Sequence, residues 1–163
     1  MNFNKEPETG NQLENRNKTL EKLRLVLEEN KDKRISVVGT ACTGKTTLLK
    51  NISQGIEISD LAPELTEEEK SFYYNAPLTP ENRKKRLELR AKRAYVEAGQ
   101  PAFGTSIAVG TELVVYLLIN DELLKERINL RKDISFDDAK TIQNFLEKEI
   151  EESNLPVIKI LVE

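Results

Sequence analysis

Leucines recur at helical spacing near the start of the chain. Leu13, Leu20, Leu23 and Leu27 stand among charged residues over positions 11–30, the pattern of a one-sided surface helix. The period then shortens. Residues 34–39 (Arg-Ile-Ser-Val-Val-Gly) read as a short buried strand, and residues 45–52 as a helix that starts directly after a glycine-rich turn. A second strand is predicted over 55–59, ending at Asp60. Thr66 with Glu69 three residues on forms a capping box for a helix through about Tyr74. Thr79 as N-cap, with Pro80 at the first helical position, opens a longer helix expected to stop at Gly99. Residues 102–108 are a candidate third strand, and Leu113 to Ile119 is an apolar fourth. Helices are predicted from Asp121 to about Arg131 and, capped by Ser135 with Asp138 three on, to about Ser153. Pro156 introduces a last strand over 157–162.

Strands alternate with helices throughout, so the sequence predicts an α/β fold with a mainly parallel five-stranded sheet covered on both faces. There is no internal repeat and no low-complexity linker. The expected organisation is a loose N-terminus at residues 1–10, an N-terminal helix within 11–33, and one domain over 34–163.

The glycine-rich turn carries the chemistry. Gly39, Thr40, Ala41, Cys42, Thr43, Gly44, Lys45 and Thr46 match G-x-x-x-x-G-K-[ST]. Its glycines let the backbone curl so that successive N–H groups point at phosphate oxygens. Lys45 is expected to reach the β- and γ-phosphates, and the Thr46 hydroxyl to ligate Mg²⁺. The helix opening at Lys45, with Thr47 in its first turn, adds its positive dipole end. The motif sits between an apolar strand and a helix, the context it requires, so a nucleoside triphosphate with Mg²⁺ is the expected ligand. Cys42 reads as a small filler of the loop.

Composition narrows the chemistry further. The 163 residues carry a net charge of −3, so the chain is not built to coat nucleic acid or an acidic membrane. With one cysteine there is no internal disulfide, and no apolar run reaches membrane-spanning length, which leads us to expect a cytoplasmic protein. Histidine is absent, which removes Ser-His-Asp triads, histidine bases and His-ligated zinc. Phosphoryl transfer needs none of these, because positioning and electrostatics supply most of its catalysis.

The order of features resembles the small P-loop kinases, the group that includes shikimate, gluconate and adenylate kinases. The resemblance covers residues 34 to 163 and rests on the loop, on Ile56-Glu-Ile-Ser-Asp60, on the apolar strand at Leu113 with the following helix that bears Arg127 and Arg131, and on the closing strand. It implies a three-layer P-loop NTPase fold with an extra N-terminal helix, ATP as the nucleotide, and transfer of its γ-phosphoryl group to a small acceptor. By the same resemblance Asp60 would bind or deprotonate the acceptor, Arg127 would neutralise charge in flight, and Arg131 would help hold the nucleotide.

Other features leave alternatives open. Arg83, Arg86, Arg90 and Arg93 are spaced to line one helix face, either as a solvated face or as a grip on an anionic acceptor. Phe72, Tyr73 and Tyr74 suit either helix packing or stacking on a ring, and Gly104, Thr105 and Ser106 lie where a third strand would enter the site. No apolar run ends in a carboxylate on that third strand, and the arginine-rich lid usual in such kinases is missing after Arg131. A competing reading therefore places Asp121 on Mg²⁺ and Glu122 on a water, making the chain an NTPase or a nucleotide-dependent switch. The leucine stripe of the N-terminal helix serves its own domain by default, with a homodimer or a protein partner as the other uses.

Overall fold

The computed structural model describes residues 10–61, 65–91 and 95–163, and within them all strand pairs of the sheet run parallel. The elements follow as α1 (Gly10–Glu29), β1 (Ile35–Val38), α2 (Lys45–Lys50), β2 (Ile56–Glu57), α3 (Ile58–Leu61), α4 (Glu67–Asn75), α5 (Pro80–Ala91), β3 (Ala102–Gly104), β4 (Leu113–Leu118), α6 (Asp121–Arg131), α7 (Phe136–Ser153) and β5 (Val157–Leu161). The sheet order is β2-β3-β1-β4-β5, which puts β1 in the middle and brings the carboxyl ends of all five strands to one edge. Ligands in open α/β sheets bind along that edge.

Side chains alternate between two cores, as a doubly covered sheet requires. Ile35, Val37, Leu113, Val115 and Leu117 face Leu23 of α1, Leu48 of α2 and Leu124 and Ile128 of α6. Val38, Val114 and Tyr116 turn to the other side, against Leu146 of α7. This is the three-layer arrangement expected from the sequence. Its caps are also present: Glu69 N–H donates to Thr66 Oγ1 at 3.2 Å while Thr66 N–H donates to Glu69 Oε1 at 3.1 Å. Asp138 N–H donates to Ser135 Oγ at 3.0 Å.

Three elements differ from expectation. The second strand was expected to run to Ser59, but β2 stops at Glu57. A β-carbon on Gly104 would lie 2.9 Å from Ile58 Cδ1, so the bare glycine of β3 admits the Ile58 side chain, and the chain leaves the sheet there as α3. Asp60 consequently stands exposed on a one-turn helix and not at a strand end. The third strand, expected to reach Ala108, ends at Gly104, and further along the Ile107 and Ala108 amides bond to side chains, to Glu149 Oε1 and Ser36 Oγ, in place of a neighbouring strand. The helix from Pro80 was expected to reach Gly99, yet Tyr95 and Glu97 already make strand-like bridges. Arg93 lies outside the described residues.

Helix α1 belongs to the same core. Leu23 is fully buried, with Leu20, Val26 and Leu27 packed beside it, and Arg24 Nη2 donates to the Asn51 carbonyl at 3.0 Å. Leu23→Ala should cost about 2–5 kcal/mol of unfolding free energy, read from the urea midpoint. A change under about 0.5 kcal/mol would mean that α1 is not part of the cooperative unit. Among the described residues no helix is long and apolar enough to cross a membrane.

Candidate phosphate and nucleoside site

The loop between β1 and α2 is shaped by its own residues. Cys42 and Gly44 take positive φ values of 64° and 91°. A β-carbon on Gly39 would meet Thr43 Oγ1 at 2.9 Å and the Leu117 carbonyl at 3.1 Å, so this position needs glycine. Buried Thr40 donates from Oγ1 to the Ala139 carbonyl at 2.5 Å, tying the loop to the first turn of α7. Thr43 Oγ1 donates to the Thr40 carbonyl at 3.0 Å. No side chain caps the start of α2, where the chain enters the helix from left-handed Gly44.

Lys45 folds back over this loop. Its Nζ donates to the carbonyls of Gly39 and Thr40 at 2.7 and 2.6 Å and to Thr43 Oγ1 at 3.1 Å. Burial pushes the ammonium down to about 7; the neighbouring Cys42 and Glu57 side chains oppose that shift, while Arg131 adds to it. Anionic phosphates would restore the ordinary lysine value. Nucleotide binding should therefore take up a proton above pH 7: affinity is full below pH 7 and falls by up to about tenfold per pH unit above it. Calorimetry at pH 8.5 in buffers of different ionisation enthalpy should give close to one proton taken up per nucleotide, and no uptake would contradict this account of Lys45.

The expected site residues are distributed unevenly. Thr46 is exposed at the start of α2, and Thr47 behind it is half-buried. Arg127 donates from Nη1 to the Cys42 carbonyl at 3.2 Å and from Nη2 to the Glu163 carbonyl at 3.3 Å, so it lies against the loop. Arg131 comes close enough to Lys45 to disfavour its charge, and its own guanidinium is 2.9 Å from Asp133. Asp60 is exposed on α3.

Glu57, half-buried at the end of β2, is instead the strand-end carboxylate whose charge reaches Lys45. The sequence held a signal for it: Ile56 and Ile58 flank a lone acidic position. Ser106, beyond β3, buries a hydroxyl with no hydrogen-bond partner among the described residues.

Other candidates contact neighbouring elements of the fold or stand exposed. Arg83 donates from Nη2 to the Phe145 carbonyl at 2.7 Å and lies 3.6 Å from Glu149. Arg86 donates to the carbonyls of Tyr73 and Ala76. These two guanidinium groups join helices and form neither a solvated face nor a free anion grip. Phe72 packs beneath Lys85, whose Nζ is 4.5 Å from the ring centre. Asp121 pairs with Lys140 of α7 at 2.9 Å, and Glu122 is exposed beside it in the first turn of α6.

A cavity of about 200 Å³ opens on the Gly44 side of the loop. Gly44, Thr47 and Arg127 form its near end, Leu48 and Val162 line it, and α1 lies along its outer side.

A gluconokinase from Sinorhizobium meliloti 1021 superposes on this chain with a TM-score of 0.50 at 20% identity, covering 80% of this chain and 83% of that one. The chain has the small P-loop kinase fold. A deoxyadenosine kinase from M. mycoides matches with a TM-score of 0.42 at 14% identity, over 77% of this chain and 88% of that one. No protein-family model and no curated protein sequence matches the chain. In this P-loop kinase fold Glu57 and Arg131 lie within electrostatic reach of Lys45, and the cavity adjoins the loop at Thr43 and Gly44.

Proposed function

We propose that the chain is a small-molecule kinase that transfers the γ-phosphoryl group of Mg·ATP to a hydroxyl-bearing acceptor. The observation that carries the reading is Lys45, a lysine held at the loop mouth by three acceptors, with the strand-end carboxylate of Glu57 within electrostatic reach.

Lys45 exchanges its carbonyl partners for β- and γ-phosphate oxygens, and the loop amides hold the rest of the chain of phosphates. The donors present fit Mg²⁺, which takes hard oxygen ligands and keeps several waters. Thr46 would ligate it, and bound there the ion would neutralise charge on the phosphates. Glu57 takes the part that the resemblance gave to Asp60. It accepts the proton of the acceptor hydroxyl as that oxygen bonds to the γ-phosphorus and the bond to the β–γ bridging oxygen breaks, releasing ADP.

The two arginines divide by position. Arg131, whose charge reaches Lys45, offsets charge on the transferring group, while Arg127 borders the cavity where the nucleoside would lie. The fate of a labelled γ-phosphate tests the reading: a kinase moves the label into a small organic product, whereas an NTPase releases only labelled inorganic phosphate. Label confined to inorganic phosphate, whatever acceptor is supplied, would contradict the proposal.

A further inference from the structure

Hydrogen bonds join the phosphate loop to both helices that follow β4. From α6, Arg127 Nη1 donates to the Cys42 carbonyl at 3.2 Å. From the loop, Thr40 Oγ1 donates to the Ala139 carbonyl in the first turn of α7 at 2.5 Å. The two helices are themselves linked by the turn 132–135 and by the Asp121–Lys140 pair at 2.9 Å, so both bonds grip one unit. Arg131 ends α6 just before that turn and lies close enough to Lys45 to oppose its charge.

Thr40 is the buried end of this grip. It is 1% exposed, and Ala139 is fully buried. A buried hydroxyl carries a desolvation cost that a valine of the same shape would avoid, so packing alone does not call for threonine here. The helix does not need the bond either, because inside α7 the Ala139 carbonyl faces the amide four residues on. What the hydroxyl adds is direction, since a hydrogen bond fixes both the distance and the angle between loop and helix. The main chain of the same residue holds the lysine: the Thr40 carbonyl accepts from Lys45 Nζ at 2.6 Å and from Thr43 Oγ1 at 3.0 Å. Thr40 thus touches Lys45 through its backbone and the arginine-bearing helix pair through its side chain.

We propose that Thr40 is a positioning residue: its hydroxyl, bonded to the Ala139 carbonyl, sets the register between the phosphate loop and the α6–α7 pair and so aligns Arg131 with Lys45 on the transferring phosphoryl group. The inference rests on the reading of Lys45 and Arg131 as the cations of phosphoryl transfer and adds what aligns them.

The test reads ADP formation by the full chain from saturating Mg·ATP with a broad pool of sugars, nucleosides, nucleotides and organic acids, beside equilibrium binding of ATP. Thr40→Val should lower kcat about ten- to a hundredfold, the scale of a small misplacement, with the ATP dissociation constant within about threefold. Thr40→Ser should recover most of the loss, because it restores the donor. Thr40→Ala and Thr40→Ser differ only in the hydroxyl, so that pair carries the test if Thr40→Val does not fold. Arg131→Met should cost at least about threefold less in Thr40→Val than in the unaltered protein, since an arginine already out of place has less to lose. A kcat for Thr40→Val or Thr40→Ala within about twofold of Thr40→Ser overturns the inference, as do losses that simply multiply with Arg131→Met. If Lys45→Met keeps the full rate, the proposed function falls and this inference with it. A rate that depends on Lys45 but is indifferent to the Thr40 hydroxyl removes this inference alone.

Discussion

Replacing Lys45 with methionine should lower kcat/KM for phosphoryl transfer by at least about 10³-fold, because it removes the cation that meets charge developing on the β–γ oxygens. Lys45 is already gathered at the loop mouth by Gly39, Thr40 and Thr43, so little reorganisation is needed when the triphosphate arrives. Methionine keeps much of the volume and carries no charge to desolvate. The unfolding temperature should therefore stay within a few degrees of the parent, which separates lost chemistry from lost fold. Lys45→Arg should not rescue the rate: a planar fork cannot replace a compact ammonium that points at three oxygens within 3.1 Å. A variant at Lys45 that kept a tenth of the parental rate would contradict the assignment.

Glu57→Gln should lower kcat by about 10²- to 10⁴-fold, the range for removing a positioned base, while leaving the ATP dissociation constant within about threefold. The separation follows from position, since Glu57 ends β2 two strands away from the loop-bearing β1. Asp60→Asn serves as the control. Its carboxylate is exposed on α3, and turnover should stay within about twofold. Full turnover in Glu57→Gln together with a dead Asp60→Asn would return the role to Asp60.

Much of the architecture was legible because each element carried its own local signal. Four buried residues in a row announced β1, the Thr66 and Ser135 caps announced their helices, and the loop motif stood where strand met helix. What escaped depends on neighbours that the sequence does not name. The length of β2 is set across the sheet, by Ile58 filling the space over Gly104. Because of that two-residue difference, the sequence placed Asp60 at the strand end, where the structure has Glu57.

The arginines of α5 show the same limit. Their spacing predicted one helix face, but periodicity cannot say what lies opposite. For Arg83 and Arg86 it is the carbonyls of Phe145, Tyr73 and Ala76. Likewise the leucine stripe of α1 predicted a packed helix, and Leu23 is fully buried, while the polar residues of the first turns proved to line the cavity. Arg127 and Arg131 were legible as a pair four apart. Which part of the loop each approaches, Cys42 for Arg127 and Lys45 for Arg131, depends on how α6 lies against it.

The most direct test of the account is ADP formation from Mg·ATP with and without a broad pool of sugars, nucleosides, nucleotides and organic acids, using Lys45→Met as the blank. The account predicts a rise of at least about tenfold with the pool that the blank abolishes, and subdivision of the pool then isolates the acceptor. ADP formation that depends on Lys45 but is indifferent to every acceptor would contradict it and identify an NTPase on the same fold.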